Sequence, residues 1–327
     1  MLELPQQLAI GSAHSKLILV GEHAVVYGEP AIALPFPSIH VKSIVQPNEG
    51  PVLLESSFYV GPLNSIPEKL KGIATCIKQT CKKLNREPNG FRMHIKSTIP
   101  IGRGLGSSAA IATAVVRSLY HFFNEPLSKD DLLELVHMAE TYAHGSPSGI
   151  DMEAVTSDAP IWFEKDKRSK KVDIKQAFHI VVADTGRIGD THAAVSSIKE
   201  KYKSITDQTK YSIKSLGHLT KEAKRALKDG DLDALGDILN RAQDELVHLG
   251  VSDAGIDYLV KVARQAGALG AKLTGGGRGG CIIALAKHAV HAKKLAERFL
   301  HAGADQTWHF QIGSDENQYT TTTVSGS

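Results

Sequence analysis

The sequence predicts an α+β fold in two domains, and three observations support this prediction. The chain has 327 residues, which is more than one average domain and enough for two hydrophobic cores. Its first third reads as strands and turns, whereas long amphipathic helices dominate beyond an apolar strand predicted at 179–183. We therefore expect a strand-rich domain over residues 1–180 and a second α+β domain over residues 181–327.

The first domain is expected to hold a half-buried sheet crossed by a helix. Phe91, Met93 and Ile95 alternate with polar residues, as in a strand with one buried face. Ser128 followed by Asp131 resembles a capping box at the start of a helix. Strands are predicted at 16–20, 39–45 and 91–99, helices at 66–84, from 107 and at 128–143, and a charged hairpin at 163–172.

The second domain is expected to combine a sheet with several amphipathic helices. Helices are predicted from 190 and at 211–228, 232–249, 253–267 and 289–302, and strands at 179–183, 281–286 and 308–312. A glycine-rich loop separates the fourth helix from the strand at 281–286.

Composition limits the classes of function. With 42% hydrophobic and 22% charged residues, the chain lies in the range of globular proteins, and a net charge of +3 gives no reason to expect a nucleic acid or membrane partner. Its longest apolar runs are far shorter than the roughly 20 residues that span a bilayer. The N-terminal residues lack the pattern of a secretory signal, and three cysteines form no disulfide framework, so we expect a cytoplasmic location.

The segment 99–110 has the composition of a phosphate-binding loop. Three glycines and two serines stand directly before a helix, where backbone N–H groups and the helix dipole favour an anion. A tight strand-to-helix connection would explain the glycines equally well. Ser107 and Ser108 favour the phosphate interpretation, because hydroxyl groups at a helix start can bind a phosphate or a metal.

A second glycine-rich loop follows Lys272 and contains Gly275, Gly277 and Gly280 at the spacing of a dinucleotide fingerprint. That fingerprint requires a helix after the loop, whereas the apolar residues 281–286 predict a strand. A nicotinamide-dependent oxidoreductase is therefore the least favoured class. Neither loop has the Gly-x4-Gly-Lys-Ser/Thr pattern of a P-loop.

Lys16, the pair Glu22–His23, Glu140 and Asp151 are candidate catalytic or ligand-binding residues. A lysine in an apolar strand is costly unless it meets an anion, although a lysine that reaches the surface is the commoner case. The two separate carboxylates offer a Mg²⁺ ligand and a group that faces a hydroxyl, although single acids are more often caps or surface residues. Their occurrence beside two glycine loops favours the functional interpretation.

Four segments together resemble the GHMP family of small-molecule kinases. They read GEHAVVYGEPAIA from residue 21, PIGRGLGSSAA from 100, HGSPSGID from 144 and KLTGGGRGGC from 272, and the resemblance covers residues 10–286. It implies an N-terminal domain like ribosomal protein S5 domain 2, a ferredoxin-like C-terminal domain, and ATP bound between them. His23 together with Asp151 is most similar to the branch that phosphorylates the C5 hydroxyl of mevalonate, a step in isoprenoid biosynthesis. Phosphomevalonate or a sugar is the alternative acceptor, and an inactive regulatory protein on this fold is a further one.

The resemblance also implies a role for each matching residue. Asp151 is the expected base or orienter of the C5 hydroxyl, and Lys16 is expected near Asp151 and the γ-phosphate. Ser108 and Glu140 are the implied Mg²⁺ ligands, and a homodimer is implied. Substrate contacts are expected from Glu22, His23, Ser148 and Thr191. ATP contacts are expected from Pro100, Gly102, Gly104, Leu105, Gly106, Ser107, Ser108, Gly275, Gly276 and Gly277.

The sequence departs from the family pattern at several positions. Gly276 and Arg278 stand where the third motif has an alanine and a glycine, and Arg103 stands where a small residue is common. Arg278 could either clash with a closely approaching backbone or add a phosphate contact. The arginine expected before the Asn-Thr pair of longer members is absent, and Arg187 is the nearest replacement for recognising a substrate carboxylate.

Overall fold

In the computed structural model the described residues are 8–145, 147–203, 207–313 and 321–325. The strands are β1 (Ala9–Val20), β2 (Ala31–Pro51), β3 (Leu53–Ser56), β4 (Tyr59–Pro62), β5 (Asn89–Ser97), β6 (Ile161–Phe163), β7 (Lys170–Lys171), β8 (Phe178–Asp184), β9 (Gly270–Thr274), β10 (Cys281–Ala286), β11 (Gln306–Ile312) and β12 (Thr321–Ser325). The helices are α1 (Lys71–Lys83), α2 (Ser107–Phe122), α3 (Lys129–His144), α4 (Ile150–Val155), α5 (Thr191–Lys203), α6 (Asp207–Asp229), α7 (Leu232–Leu249), α8 (Ala254–Gln265) and α9 (Ala289–His301). This mixture of helices and sheets confirms the α+β class.

The chain divides into two compact units that interleave along the sequence. The first unit comprises the residues up to Ser15 together with Ile39–Pro100 and Gly106–Thr156. The second comprises Lys16–Ser38, Ile101–Leu105 and the residues from Ser157 onward. Both β1 and β2 contribute one end to each unit. The predicted domain boundary at residue 180 stays a prediction.

The first unit packs α1, α2 and α3 with a sheet whose strands follow the order β4, β3, β5, β2. The alternation predicted for β5 is confirmed, because Phe91, Met93 and Ile95 are buried. Ser128 caps α3 as predicted, since its hydroxyl accepts the Asp131 N–H at 3.0 Å. The predicted helix start at 66 is wrong. Pro67 follows that position and disfavours helical backbone there, so a short 3₁₀ turn precedes α1.

The second unit contains a five-stranded sheet in the order β12, β11, β8, β10, β9, and every neighbouring pair is antiparallel. Every residue of β10 is buried, and the Trp308 ring packs edge-on against Phe36 at 5.8 Å between centroids. The predicted charged hairpin is confirmed by the antiparallel pairing of β6 with β7. Helix α6 begins at Asp207 rather than at the predicted 211, and β9 was not predicted.

None of the helices in the described part of the chain is both long enough and apolar enough to cross a bilayer.

Candidate active site

In the second unit the two glycine-rich loops lie directly against each other. A Cβ atom on Gly104 would lie 3.1 Å from the Gly276 amide nitrogen, and one on Gly275 would lie 2.7 Å from the Gly104 carbonyl oxygen. Both glycines also have positive φ angles, +73° and +80°. Side chains at these positions would therefore clash with backbone and strain it, which explains the glycines physically. This steric requirement for glycine is independent of any phosphate-binding role.

Lys16 lies where these loops meet. Its side chain is buried, with 2% of the residue exposed, so the alternative of a surface lysine is wrong. The amino group donates a hydrogen bond to the Gly104 carbonyl at 3.0 Å. The strand that carries Lys16 is aligned by Thr274, whose hydroxyl accepts the Ile18 N–H at 2.9 Å and donates to the Ile18 carbonyl at 3.0 Å. These contacts place a buried lysine amino group at a glycine loop, and this combination suits the binding of a phosphoryl group.

Glu22 and His23 form a tight turn after β1. The Ala24 N–H donates to the Glu22 carbonyl at 2.7 Å, and His23 has φ 62° and ψ −47°. This is a γ-turn with positive φ, a rare and strained conformation. Burial lowers the pKa of His23 to about 4, opposed by a hydrogen bond with the backbone of Gly276. His23 is therefore neutral near pH 7, and its Nε2 atom has no hydrogen-bond partner among the described residues.

Lys272 is a residue of this site that the sequence analysis did not single out. It is fully buried in β9, and its amino group donates to Glu22 Oε1 and to the Leu273 carbonyl. Burial raises the pKa of Glu22 and lowers that of Lys272, and each charge opposes the effect of burial on the other. The signal in the sequence was a lysine between Ala271 and Leu273, which is weaker than the signal at Lys16 because the segment is short and includes a glycine.

Local contacts account for Arg103 and Arg278, the two arginines that depart from the family pattern. The Arg103 Nε donates to Oδ2 of the buried Asp184 at 2.8 Å and lies 2.7 Å from its Oδ1, so the guanidinium extends toward β8. Arg278 has φ 54°, and its Nε donates to the Gly250 carbonyl at 3.2 Å just beyond α7. Arg187, the candidate for carboxylate recognition, pairs with Asp253 at the start of α8.

Thr191 begins α5 and packs against the second glycine loop. A Cβ atom on Gly276 would collide with the Thr191 side chain. In the same region the Gly189 N–H donates to the Gly102 carbonyl at 2.7 Å. The second unit thus brings together Lys16, Glu22, His23, Gly102, Gly104, Leu105, Thr191, Gly275, Gly276 and Gly277.

The remaining predicted residues belong to the first unit. Gly106 precedes α2 with φ 73°, and Ser107 and Ser108 form the first turn of that helix. Glu140 is buried on α3, which packs against α2. Pro100 ends the segment before the first loop, and Ser148 and Asp151 lie just before and within the first turn of α4, both partly buried.

The donor types in the first unit suit Mg²⁺. Carboxylate and hydroxyl oxygens are hard ligands, and Mg²⁺ in phosphoryl-transfer sites takes one or two protein ligands beside phosphate oxygens. Ser108 and Glu140 supply such oxygens from two helices in mutual contact. No group of three or more His, Cys, Asp or Glu side chains that could hold a metal occurs in the described part of the chain.

Comparison with known families defines the class of protein. The model of the GHMP kinases N terminal domain matches residues 70–157, and that of the GHMP kinases C terminal matches residues 223–305. The chain belongs to the GHMP kinases.

Individual relatives narrow this class. A mevalonate kinase of Pyrococcus furiosus is 31% identical over 85% of this chain and 89% of its own length. The crystal structure of L. major mevalonate kinase in complex with R-mevalonate is 25% identical, with a TM-score of 0.80, over 94% of this chain and 96% of that one. The mevalonate kinase of methicillin-resistant Staphylococcus aureus is 32% identical, with a TM-score of 0.71, over 94% and 99% of the two chains. This chain is similar to mevalonate kinases along most of its length.

Proposed function

We propose that this protein transfers the γ-phosphoryl group of ATP to the C5 hydroxyl of mevalonate, forming 5-phosphomevalonate for isoprenoid biosynthesis. The observation that carries the proposal is the buried Lys16 amino group on the Gly104 carbonyl, where two glycine loops meet. Its support comes from relatives named mevalonate kinases, one of them solved with R-mevalonate. These relatives favour mevalonate over phosphomevalonate or a sugar as the acceptor.

In the proposed reaction Asp151 accepts the proton of the C5 hydroxyl. The hydroxyl oxygen forms a bond to the γ-phosphorus, and the bond to the oxygen shared with the β-phosphate breaks, so ADP leaves. Lys16 supplies positive charge that stabilises the transferring phosphoryl group and favours the ionised hydroxyl. Glu22, His23, Ser148 and Thr191 are proposed to contact the acceptor.

The phosphates of ATP are proposed to be bound by backbone N–H groups of both glycine loops and by the first turn of α2. Ser108 and Glu140 are the proposed ligands of Mg²⁺, which when bound neutralises phosphate charge. The phosphate contact expected of Arg278 stays a prediction, because the Gly250 carbonyl engages only its Nε and leaves the two terminal amino groups of the guanidinium.

The test of the proposal is ADP release by the purified protein with Mg-ATP and mevalonate, phosphomevalonate, galactose or homoserine. Turnover of mevalonate above the other acceptors is the expected result. Asp151→Asn should lower kcat by about two to four orders of magnitude with little change in the KM for ATP, since it removes a proton acceptor. Glu153→Gln, a change at another carboxylate of α4, is the matched control and should keep turnover. Preferred turnover of a different acceptor, or normal kcat in Asp151→Asn, would contradict the proposal.

A homodimer and a cytoplasmic location are further parts of this proposal. The dimer rests on family resemblance, and the location rests on the cysteine content, since three cysteines form no disulfide framework. Light scattering of the purified protein at several concentrations tests the dimer, and a mass of one chain would contradict it.

A further inference from the structure

Lys272 has no role in the proposed reaction, yet its environment is unusual. Its side chain is 0% exposed in β9, two residues before Thr274 and the second glycine loop. Its amino group has two acceptors, Glu22 Oε1 and the Leu273 carbonyl. An apolar pair of similar volume would often stabilise a core as well as a buried ion pair does. The pair Lys272–Glu22 therefore calls for an explanation beyond stability.

The ion pair is adjacent to the strained turn at His23. Strained backbone persists only where its surroundings hold it in place. Here the Lys272–Glu22 pair fixes the residue before His23. Lys272 belongs to β9, so this strand supports the turn.

Lys272 also sets the electrostatic balance around Glu22. Lys16 and Lys272 both lower the pKa of this carboxyl, and Lys272 acts more strongly. The Lys16 amino group donates to the Gly104 carbonyl. Lys272, which donates directly to Glu22 Oε1, is therefore the main compensating charge for this carboxylate.

We propose that Lys272 is a positioning residue for the acceptor side of the site. By holding one oxygen of Glu22 it keeps the turn at His23 in place. Glu22 Oε2 and His23 Nε2, which have no hydrogen-bond partner among the described residues, are thereby left for the acceptor. This inference rests on the proposed function, because it concerns the binding of the same substrate.

The first test is the steady-state kinetics of Lys272→Met. The KM for mevalonate should rise at least about tenfold, whereas the KM for ATP should change less than about twofold. Gln243→Leu is the matched control, because Gln243 is buried and its Oε1 accepts the Leu273 N–H at 2.9 Å from outside the proposed site. This control should lower the Tm and leave the KM for mevalonate unchanged. An unchanged KM for mevalonate in folded Lys272→Met would overturn the proposal.

The second test asks whether Lys272 acts through Glu22. The double variant Glu22→Gln with Lys272→Met leaves no uncompensated buried charge, so it remains informative if Lys272→Met alone does not fold. In the Glu22→Gln background, replacing Lys272 should change the KM for mevalonate less than about twofold. A further rise of about tenfold in that background would show that Lys272 acts by another route, and the proposal would fail.

The third test needs no turnover. His23 is titrated by NMR from neutral pH downward in the wild-type protein and in Lys272→Met. The positive charge of Lys272 opposes protonation of His23, so its pKa should rise above about 4 in the variant. An unmoved His23 titration would overturn the proposed coupling. If the wild-type protein fails to use mevalonate, the proposed function fails, while this titration still decides whether Lys272 is coupled to His23.

Discussion

The side chain of His23 is buried, with 6% of the residue exposed, and its backbone has a conformation that few residues adopt. Both the burial and the backbone strain lower the free energy of unfolding, because they are present only in the folded state. Strain and burial of this kind are concentrated at sites where a precise orientation is needed. The sequence motif identified His23 as a candidate, but only the structure gives its protonation state.

The stability of the protein should depend on pH through His23. The pKa is 6.5 in the unfolded chain and about 4 in the folded one, so between these values the unfolded state binds more protons. Stability from this group is complete above pH 6.5 and is lost as the pH falls toward 4, by about 3 kcal/mol in total. Urea unfolding at both pH values should show a smaller loss for His23→Asn, because the Asn side chain does not titrate. Asn is the replacement of choice because it tolerates positive φ. Equal losses in the two proteins would contradict this assignment.

Arg278 is a second residue in a strained backbone conformation, and its hydrogen bonds offset the cost of that strain. The position has a positive φ that suits glycine, which the family pattern has there. Its amide donates to the Val251 carbonyl at 2.8 Å, and its Nε donates to the Gly250 carbonyl. These bonds connect the second glycine loop to the end of α7 and offset the cost of the backbone conformation.

At the scale of elements, β9, its glycine loop and α5 form one packed group. Restoring the family alanine with Gly276→Ala should disturb this group, because the added Cβ would overlap Thr191 at the start of α5. We expect a destabilisation of about 1–3 kcal/mol, typical of overpacking, and a lower kcat/KM. Thermal unfolding and the ADP-release assay measure the two effects.

The matched control is Gly72→Ala in α1. Its Cβ would meet only ordinary contacts, the nearest at 3.4 Å from the Ala143 side chain. Gly72 lies in the first turn of α1, and replacing a helical glycine by alanine should stabilise the protein by at most about 0.5–1 kcal/mol. If Gly276→Ala has the same effect as this control, Thr191 does not limit the space beside the loop.

At the scale of the whole molecule, the three cysteines report on folding. All are free and buried. Burial raises the pKa of Cys76 to about 12 and that of Cys81 to about 11, and it raises that of Cys281 well above the usual range. The native protein should therefore resist alkylation by iodoacetamide, and denatured protein should gain three adducts by mass spectrometry. Rapid labelling of native protein would contradict this packing.

Much of the organisation could be predicted from the sequence, because it depends on local patterns. Three of the predicted features depend only on residues close in sequence. They are the alternation in β5, the cap at Ser128 and the glycines before α2. β9 escaped prediction because its five residues include a glycine and a lysine, which do not resemble a buried strand. Lys272 was therefore assigned to a loop motif and not to the core.

The α+β class, the glycine loops and the family could be predicted from the sequence alone, since they follow from periodicity, turn chemistry and motif order. Which charges are paired depends on the tertiary structure. Glu22 and Lys272 are 250 positions apart, and Arg103 and Asp184 are 81 apart. Local patterns contain no information on such distant partners. Their pairing is set by the folded core, where the loss of water makes an unpaired charge too costly to keep.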